Sequence, residues 1–183
     1  MGYDAALSKA WSELDNLTKD KDISIRFLSD EYTVDLKNKR VLSLSCNAPC
    51  KDHISILILH YLKQKLKGLP SMHGEWISFK QLEGGQGYYP AFEKRVISPI
   101  MRKYGSNPEA ILEIIDRFKA KRVQPADISI VLDVFDGVPV LISLWRRDEE
   151  FGPEANILLD KSIKDIFCTE DIVILSELVA RNI

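Results

Sequence analysis

Apolar positions along the chain follow first a helical period, then strict alternation, then a helical period again, and alternation returns near the end. Between residue 4 and about residue 19, Leu7, Ala10, Trp11, Leu14 and Leu17 share one helical stripe, with Trp11 as its core anchor. Three alternating runs follow at 23–27, 32–36 and 41–46, separated by Ser29-Asp30-Glu31 and Asn38-Lys39. Short polar turns between alternating strands predict an antiparallel meander with one wet face. From Asp52 to about residue 67 the pattern is helical and apolar nearly all round. Such a helix is buried on more than one side, so 52–67 is expected to be the central helix, with Asp52 as its cap.

A loop at 68–74 and a short extended piece at 75–79 lead into Gly84-Gly85-Gln86-Gly87. Helical pattern resumes at Pro90, a good first-turn residue, with Phe92, Val96, Ile100 and Met101 as its stripe. Pro99 is expected to kink or split that helix, because its ring removes a hydrogen bond and crowds the preceding turn. Asn107-Pro108 opens a further helix that faces Ile111, Leu112, Ile115 and Phe118 inward. Beyond Gln124-Pro125 the period returns to two, and Asp136-Gly137 is a hairpin signal between strands at 128–135 and 138–145. A strand at 155–159, a short helix at 160–167 and a final helix capped by Thr169 complete the order, with Glu170 and Asp171 complementing the last helix's dipole. Strands and helices do not alternate one for one. The prediction is an α+β fold, an antiparallel or mixed sheet packed with helices, in a single domain over 1–183.

Composition narrows the class without naming a chemistry. The 183 residues are 45% hydrophobic and 28% charged, which excludes disorder and fibrous repeats. A net charge of −2 gives no electrostatic reason to expect nucleic acid or an anionic membrane as partner. The start at Met1-Gly2 lacks the basic and apolar regions of a secretory leader, and position 6 is Ala where a myristoylation signal has Ser or Thr. The longest apolar run, 54–62, is too short for a membrane span. Three cysteines do not read as a disulfide framework, so the expected location is cytoplasmic.

Three groups of residues carry candidate chemistry. Asp148, Glu149 and Glu150 leave a buried-type strand between Trp145 and Phe151. Were the chain extended there, Asp148 and Glu150 would share a side and could divide acid and base roles or hold a divalent cation. The plainer alternative is a charged surface turn neutralised by Arg146 and Arg147. The glycine loop is the second group. Gly84, Gly85 and Gly87 could present backbone N–H groups to a ligand, with Trp76, Phe79, Tyr88, Tyr89 and Phe92 as walls and Trp145, from the strand end, as a further binding candidate. It matches neither a Walker loop nor a dinucleotide fingerprint, and a turn beside core aromatics is the simpler reading. Third, Cys46, Cys50, His53 and Cys168 could supply four zinc ligands, but their spacing is not that of a standard finger, and no metal is expected. His60, on the central helix, reads as a satisfied core histidine.

Several of these segments resemble a known family. Residues 58–62, 74–85, 88–92 and above all Leu144-Trp145 with Asp148-Glu149-Glu150-Phe151 are similar to a prokaryotic domain of unknown function. The resemblance spans about 54 to 181, with the amino-terminal meander carrying less of it. It implies a domain found mainly in anaerobes, alone or fused to a cysteine-rich iron–sulfur module, and so a link to redox or cofactor metabolism. The leading expectation is a cytoplasmic domain that binds a small ligand or cofactor in an accessory role, with a redox protein as a further candidate partner. The pocket is expected between the 76–92 segment and the strand end at 145–151. An enzyme using Asp148 and Glu150, with or without a divalent cation, and a protein-interaction module are the alternatives. Neither the identity of a cofactor nor the oligomeric state is legible.

Overall fold

The computed structural model describes residues 3–124 and 126–183; the expected break at Pro125 and the readings at Met1 and Gly2 lie outside them. The fold is α+β, with two antiparallel sheets where the sequence suggested one. Helix α1 (Asp4–Asp15) precedes a four-stranded meander of β1 (Asp22–Phe27), β2 (Asp30–Asp35), β3 (Arg40–Ser43) and β4 (Ala48–Pro49). Helix α2 (Asp52–Lys67) follows, and β5 (Trp76–Ser78) begins the second sheet. Helices α3 (Gly85–Phe92), α4 (Ser98–Tyr104) and α5 (Ile115–Phe118) come before β6 (Lys121–Val123), β7 (Ile128–Phe135), β8 (Val138–Trp145) and β9 (Glu154–Asp160). Helices α6 (Ile163–Ile166) and α7 (Thr169–Asn182) close the chain, and the second sheet runs β5-β9-β8-β7-β6.

Alternation in β7, β8 and β9 sends Ile130, Leu132, Val140, Ile142, Ile157 and Leu159 to one face, where all are buried. On the opposite face Ser129 and Ser143 are register partners, and their hydroxyls satisfy each other at 3.1 Å. Helix α2 is the central helix that its composition requires: Leu57, Ile58, Leu59, Tyr61 and Leu62 are fully buried. It packs on α1, α6, α7 and β1.

The two sheets meet at the β1–β2 hairpin. Leu28 takes a left-handed conformation there (φ 55°) although its side chain is buried, and its N–H donates to Val134 O at 2.7 Å. Arg26 reinforces the junction, donating through Nε to Asp136 Oδ1 and through Nη1 to the carbonyls of Leu28 and Asp133. Beneath it Phe27, Phe135 and Tyr61 form a continuous stack, with centroids 4.7 and 4.2 Å apart. The Tyr61 hydroxyl donates to Asp136 O, so one stack joins both sheets to α2.

Several local expectations are corrected. Helix α1 ends at Asp15, which leaves Leu17 exposed. Strand β3 ends at Ser43 and buries Val41 and Ser43, so Leu44 and Cys46, which alternate with Leu42 on the other side, are exposed. The chain turns back through Asn47 in a left-handed conformation (φ 47°). Helix α3 starts at Gly85, so Pro90 lies inside it rather than in its first turn. The break expected at Pro99 takes the form of a widened turn. Residues Glu93–Ile97 are π-helical, and the Ser98 N–H donates to Glu93 O five residues back. The helix expected from Asn107 is a 3-10 turn, Pro108–Ile114, followed by short α5.

The chain after β9 is fixed by one buried carboxylate. Asp160 accepts N–H bonds from His73 and Ser162 (3.0 Å each) and from Gly74 (2.8 Å). Burial opposes its ionised form, but the Ser162 side chain and those backbone N–H groups together outweigh it and hold the carboxyl below the usual range. A depressed folded-state value means that the stabilisation is present at neutral pH and lost as pH falls through that value. Asp160→Asn is expected to cost about 1–3 kcal/mol at pH 7. Urea titrations should show the gap from wild type closing as pH drops below about 4, the ordinary aspartate range.

A cleft bordered by His60 and Asp171

Asp160 and Ser162 lead through α6 to Phe167 and Cys168, and these last two residues form one wall of a cleft of about 960 Å³. The other walls come from the start of α1 (Tyr3, Ala6), from α2 (His53, Ile56, His60) and from the 82–84 turn with Tyr88 and Arg95 beyond it. The first turns of α7 complete it. The Thr169 hydroxyl donates to Glu83 O at 3.0 Å and ties α7 to the 82–84 turn. This corrects the capping role expected of Thr169: the N-cap position is Cys168, and the threonine serves as a cross-brace.

The polar centre of the cleft is a pair that no local pattern announces. His60 Nδ1 lies 2.7 Å from Asp171 Oδ2. The His60 side chain keeps 27% exposure while that of Asp171 is reduced to 10%, so the ring faces the open side. His60 is thus satisfied, as its sequence context suggested, but it is not a core residue. Both residues also border a second hollow of about 490 Å³, which shares Ala6, Lys164 and Cys168 with the first. One turn further along α2, Lys63 pairs with Glu13 of α1 at 2.9 Å and fixes the far side of that hollow. Lys164 reaches across the turn to donate to Gln81 O at 3.2 Å.

Of the expected ligand-binding residues, Gly84 and Tyr88 border this cleft. Gly84 is left-handed (φ 68°), which lets the chain reverse into α3. Gly85 is buried behind it against the Phe79 carbonyl, and Gly87 faces open space. Phe79 belongs to the core, stacked on Phe92 at 4.1 Å, and Tyr89 lies under the Lys80 ammonium. Trp76 and Trp145 do not meet. Their partners on β9 are Asp160 and Glu154, six residues apart, which is roughly 20 Å along a strand.

The acidic strand end is a turn, not an extended segment. Asp148 Oδ1 accepts the N–H groups of Glu150 and Phe151, and the Asp148 N–H donates to Phe151 O. Arg146 pairs with Glu109 instead of its acidic neighbours. The geometry that would place Asp148 and Glu150 on one side is absent, because their backbone is folded back, and neither borders the cleft.

The four candidate metal ligands divide between two places. Cys46 and Cys50 lie on either side of β4, whereas His53 and Cys168 border the cleft. Among the described residues no three His, Cys, Asp or Glu side chains come together in a way that would hold a metal ion. Burial pushes the Cys50 thiol up to about 11, with Cys46 adding to the shift. Cys168 stands at the surface, but the groups around its sulfur desolvate it and raise it to about 11, with the nearby carboxylates of Asp171 and Glu170 contributing. A thiol so raised is protonated near neutrality and is a poor nucleophile.

A family model described as Domain of unknown function (DUF3786) matches residues 11–182. The chain belongs to that family. The match takes in the amino-terminal meander as well as the part from 54 onward in which the resemblance was strongest, so both sheets and all the cleft walls except Tyr3 and Ala6 fall within the family's span. No curated protein and no solved structure matches the chain. Among the described residues no helix is long and apolar enough to cross a membrane.

Proposed function

We propose that this protein is a single-domain, cytoplasmic ligand-binding protein, and that its ligand occupies the cleft bordered by His60 and Asp171. The observation that carries the reading is the cleft itself. Its volume of about 960 Å³ lies at the upper end of the range of small-molecule sites, roughly 300–1,000 Å³. Its walls pair apolar and aromatic surface (Ile56, Leu82, Tyr88, Phe167) with convergent polar groups (His60, Arg95), the composition such sites share. Arg95 is delivered by the π-helical segment, a widened turn of the kind often found at functional positions. A continuous buried cluster that includes residues of both sheets supports the single domain, and three unpaired cysteines support a reducing compartment. An accessory role in anaerobic redox or cofactor metabolism, with a redox protein as partner, rests on the resemblance alone.

Ala6 is exposed on α1 and borders both hollows, so Ala6→Trp should fill the cleft without disturbing the core. Native mass spectrometry of protein purified without air should show a non-covalent adduct on the wild type that Ala6→Trp lacks. An adduct retained equally by Ala6→Trp would place the ligand elsewhere. No adduct, together with no displaced amide resonance when the small-molecule fraction of an anaerobic extract is added, would refute the reading.

A further inference from the structure

We propose that His60 and Asp171 form a proton-transfer dyad, so that the cleft acts on its ligand as well as holding it; the inference rests on the cleft being the ligand site. Asp171 offers His60 Nδ1 only carboxylate oxygen, at 2.7 Å, so Nδ1 is the nitrogen that carries hydrogen. In the neutral ring Nε2 then has a free lone pair. That nitrogen has no protein hydrogen-bond partner among the described residues, while the ring borders both hollows of the cleft. A histidine whose tautomer is fixed by a carboxylate, with its second nitrogen unpaired on a ring that borders a cavity, is arranged as a general base. Asp171 is the positioning residue.

Two other readings of the same side chains are weaker. A purely structural tie between α2 and α7 gains little from a polar pair whose imidazole is still partly exposed to water. It also gives no reason for the ring to face a cavity. A nucleophilic Cys168 is disfavoured because its thiol is pushed up to about 11 and stays protonated near neutrality. The acting group is therefore the imidazole.

The step is a proton transfer from an O–H. Nε2 takes the proton of a water or of a ligand hydroxyl as that oxygen attacks an electrophilic carbon. The imidazolium that forms is held by Asp171, and the proton passes to the leaving group or to solvent. With water as the nucleophile an acyl compound is cleaved to its acid and its leaving group, so atoms balance with no other reactant. The substrate class is a small acyl compound, or one carrying its own attacking hydroxyl, with a flat or apolar portion against Tyr88, Phe167 and Ile56.

The probe is p-nitrophenyl acetate, and the variants are His60→Gln and Asp171→Asn. Asparagine keeps a hydrogen bond to the ring but can donate its N–H to Nδ1, which moves the ring proton to Nε2 and removes the base. Nitrogen-15 spectra of wild-type His60 should show Nδ1 protonated and Nε2 bare, and Asp171→Asn should reverse this. Wild-type p-nitrophenolate release should be slower in D₂O and should fall at least about a hundredfold in both variants, the lower end of general-base effects, while thermal unfolding of Asp171→Asn moves little. A wild-type ring protonated at Nε2 overturns the proposal. So does an Asp171→Asn rate equal to wild type after the tautomer has reversed, or a His60→Gln rate equal to wild type. The ligand-binding reading would survive such a result if the native adduct is present on the wild type and lost in Ala6→Trp.

Discussion

Replacing Phe135 with alanine is expected to destabilise the protein by about 3–5 kcal/mol, the range for an aromatic side chain deleted from a packed core. Phe135 is fully buried and lies between Phe27 of the first sheet and Tyr61 of α2, with Phe167 tilted against it at 6.0 Å. No neighbour can collapse easily into the space, because each belongs to a different element and is held by backbone pairing or helix packing. The loss has a second consequence. Phe167 is a wall of the cleft, so a void behind it should loosen the site in whatever protein still folds. Urea unfolding at pH 7 gives the magnitude, and Phe135→Leu, which refills part of the volume, should cost clearly less than Phe135→Ala if packing is the cause.

The glycine loop supplies a pair of substitutions with opposite signs. A Cβ on Gly85 would lie 2.0 Å from the Phe79 carbonyl oxygen, a backbone atom that cannot swing aside. Gly85→Ala should therefore destabilise by about 3 kcal/mol, the upper part of the overpacking range, and shift the turn that carries Gly84 and Tyr88 into the cleft. Gly87 sits within the same helix, and a methyl group there would meet nothing within 4 Å. Gly87→Ala should stabilise by about 0.5–1 kcal/mol through helix propensity. Thermal unfolding of the two single variants, side by side, checks both. The glycine loop would then be a packing device at one position and an ordinary helical surface at the other.

Legibility follows the range of the interactions. Helix α2 and the β7–β8 hairpin are plain because their periodicity is local and strong, and Asp136-Gly137 takes the positive φ its turn needs (Gly137, 77°). Strand β6 is invisible in the sequence: Lys121–Val123 carries no alternation of its own and is a strand only because it pairs with β7. Leu17 fits an apolar stripe but lies just past the end of α1, and Leu44 falls on the side of β3 opposite its buried face, which carries Val41 and Ser43. The site is harder still. His60 and Asp171 are 111 residues apart, and each has an adequate local explanation, as a helix-interior histidine and as a dipole-complementing acid. Only the packing of α2 against α7 brings them together. Trp76 and Trp145 look like two walls of one pocket because both are aromatic residues in strands, but β9 lies between their strands and the register sets them at its two ends.

A ligand in the His60–Asp171 cleft is tested most directly by a crystal structure of protein isolated and crystallised without air. Electron density for a small molecule is expected between Tyr88 and the open edge of His60, with Asp171 still on Nδ1. An ordered cleft that holds only water, or a ligand seated instead at the Trp145–Phe151 turn, would contradict it.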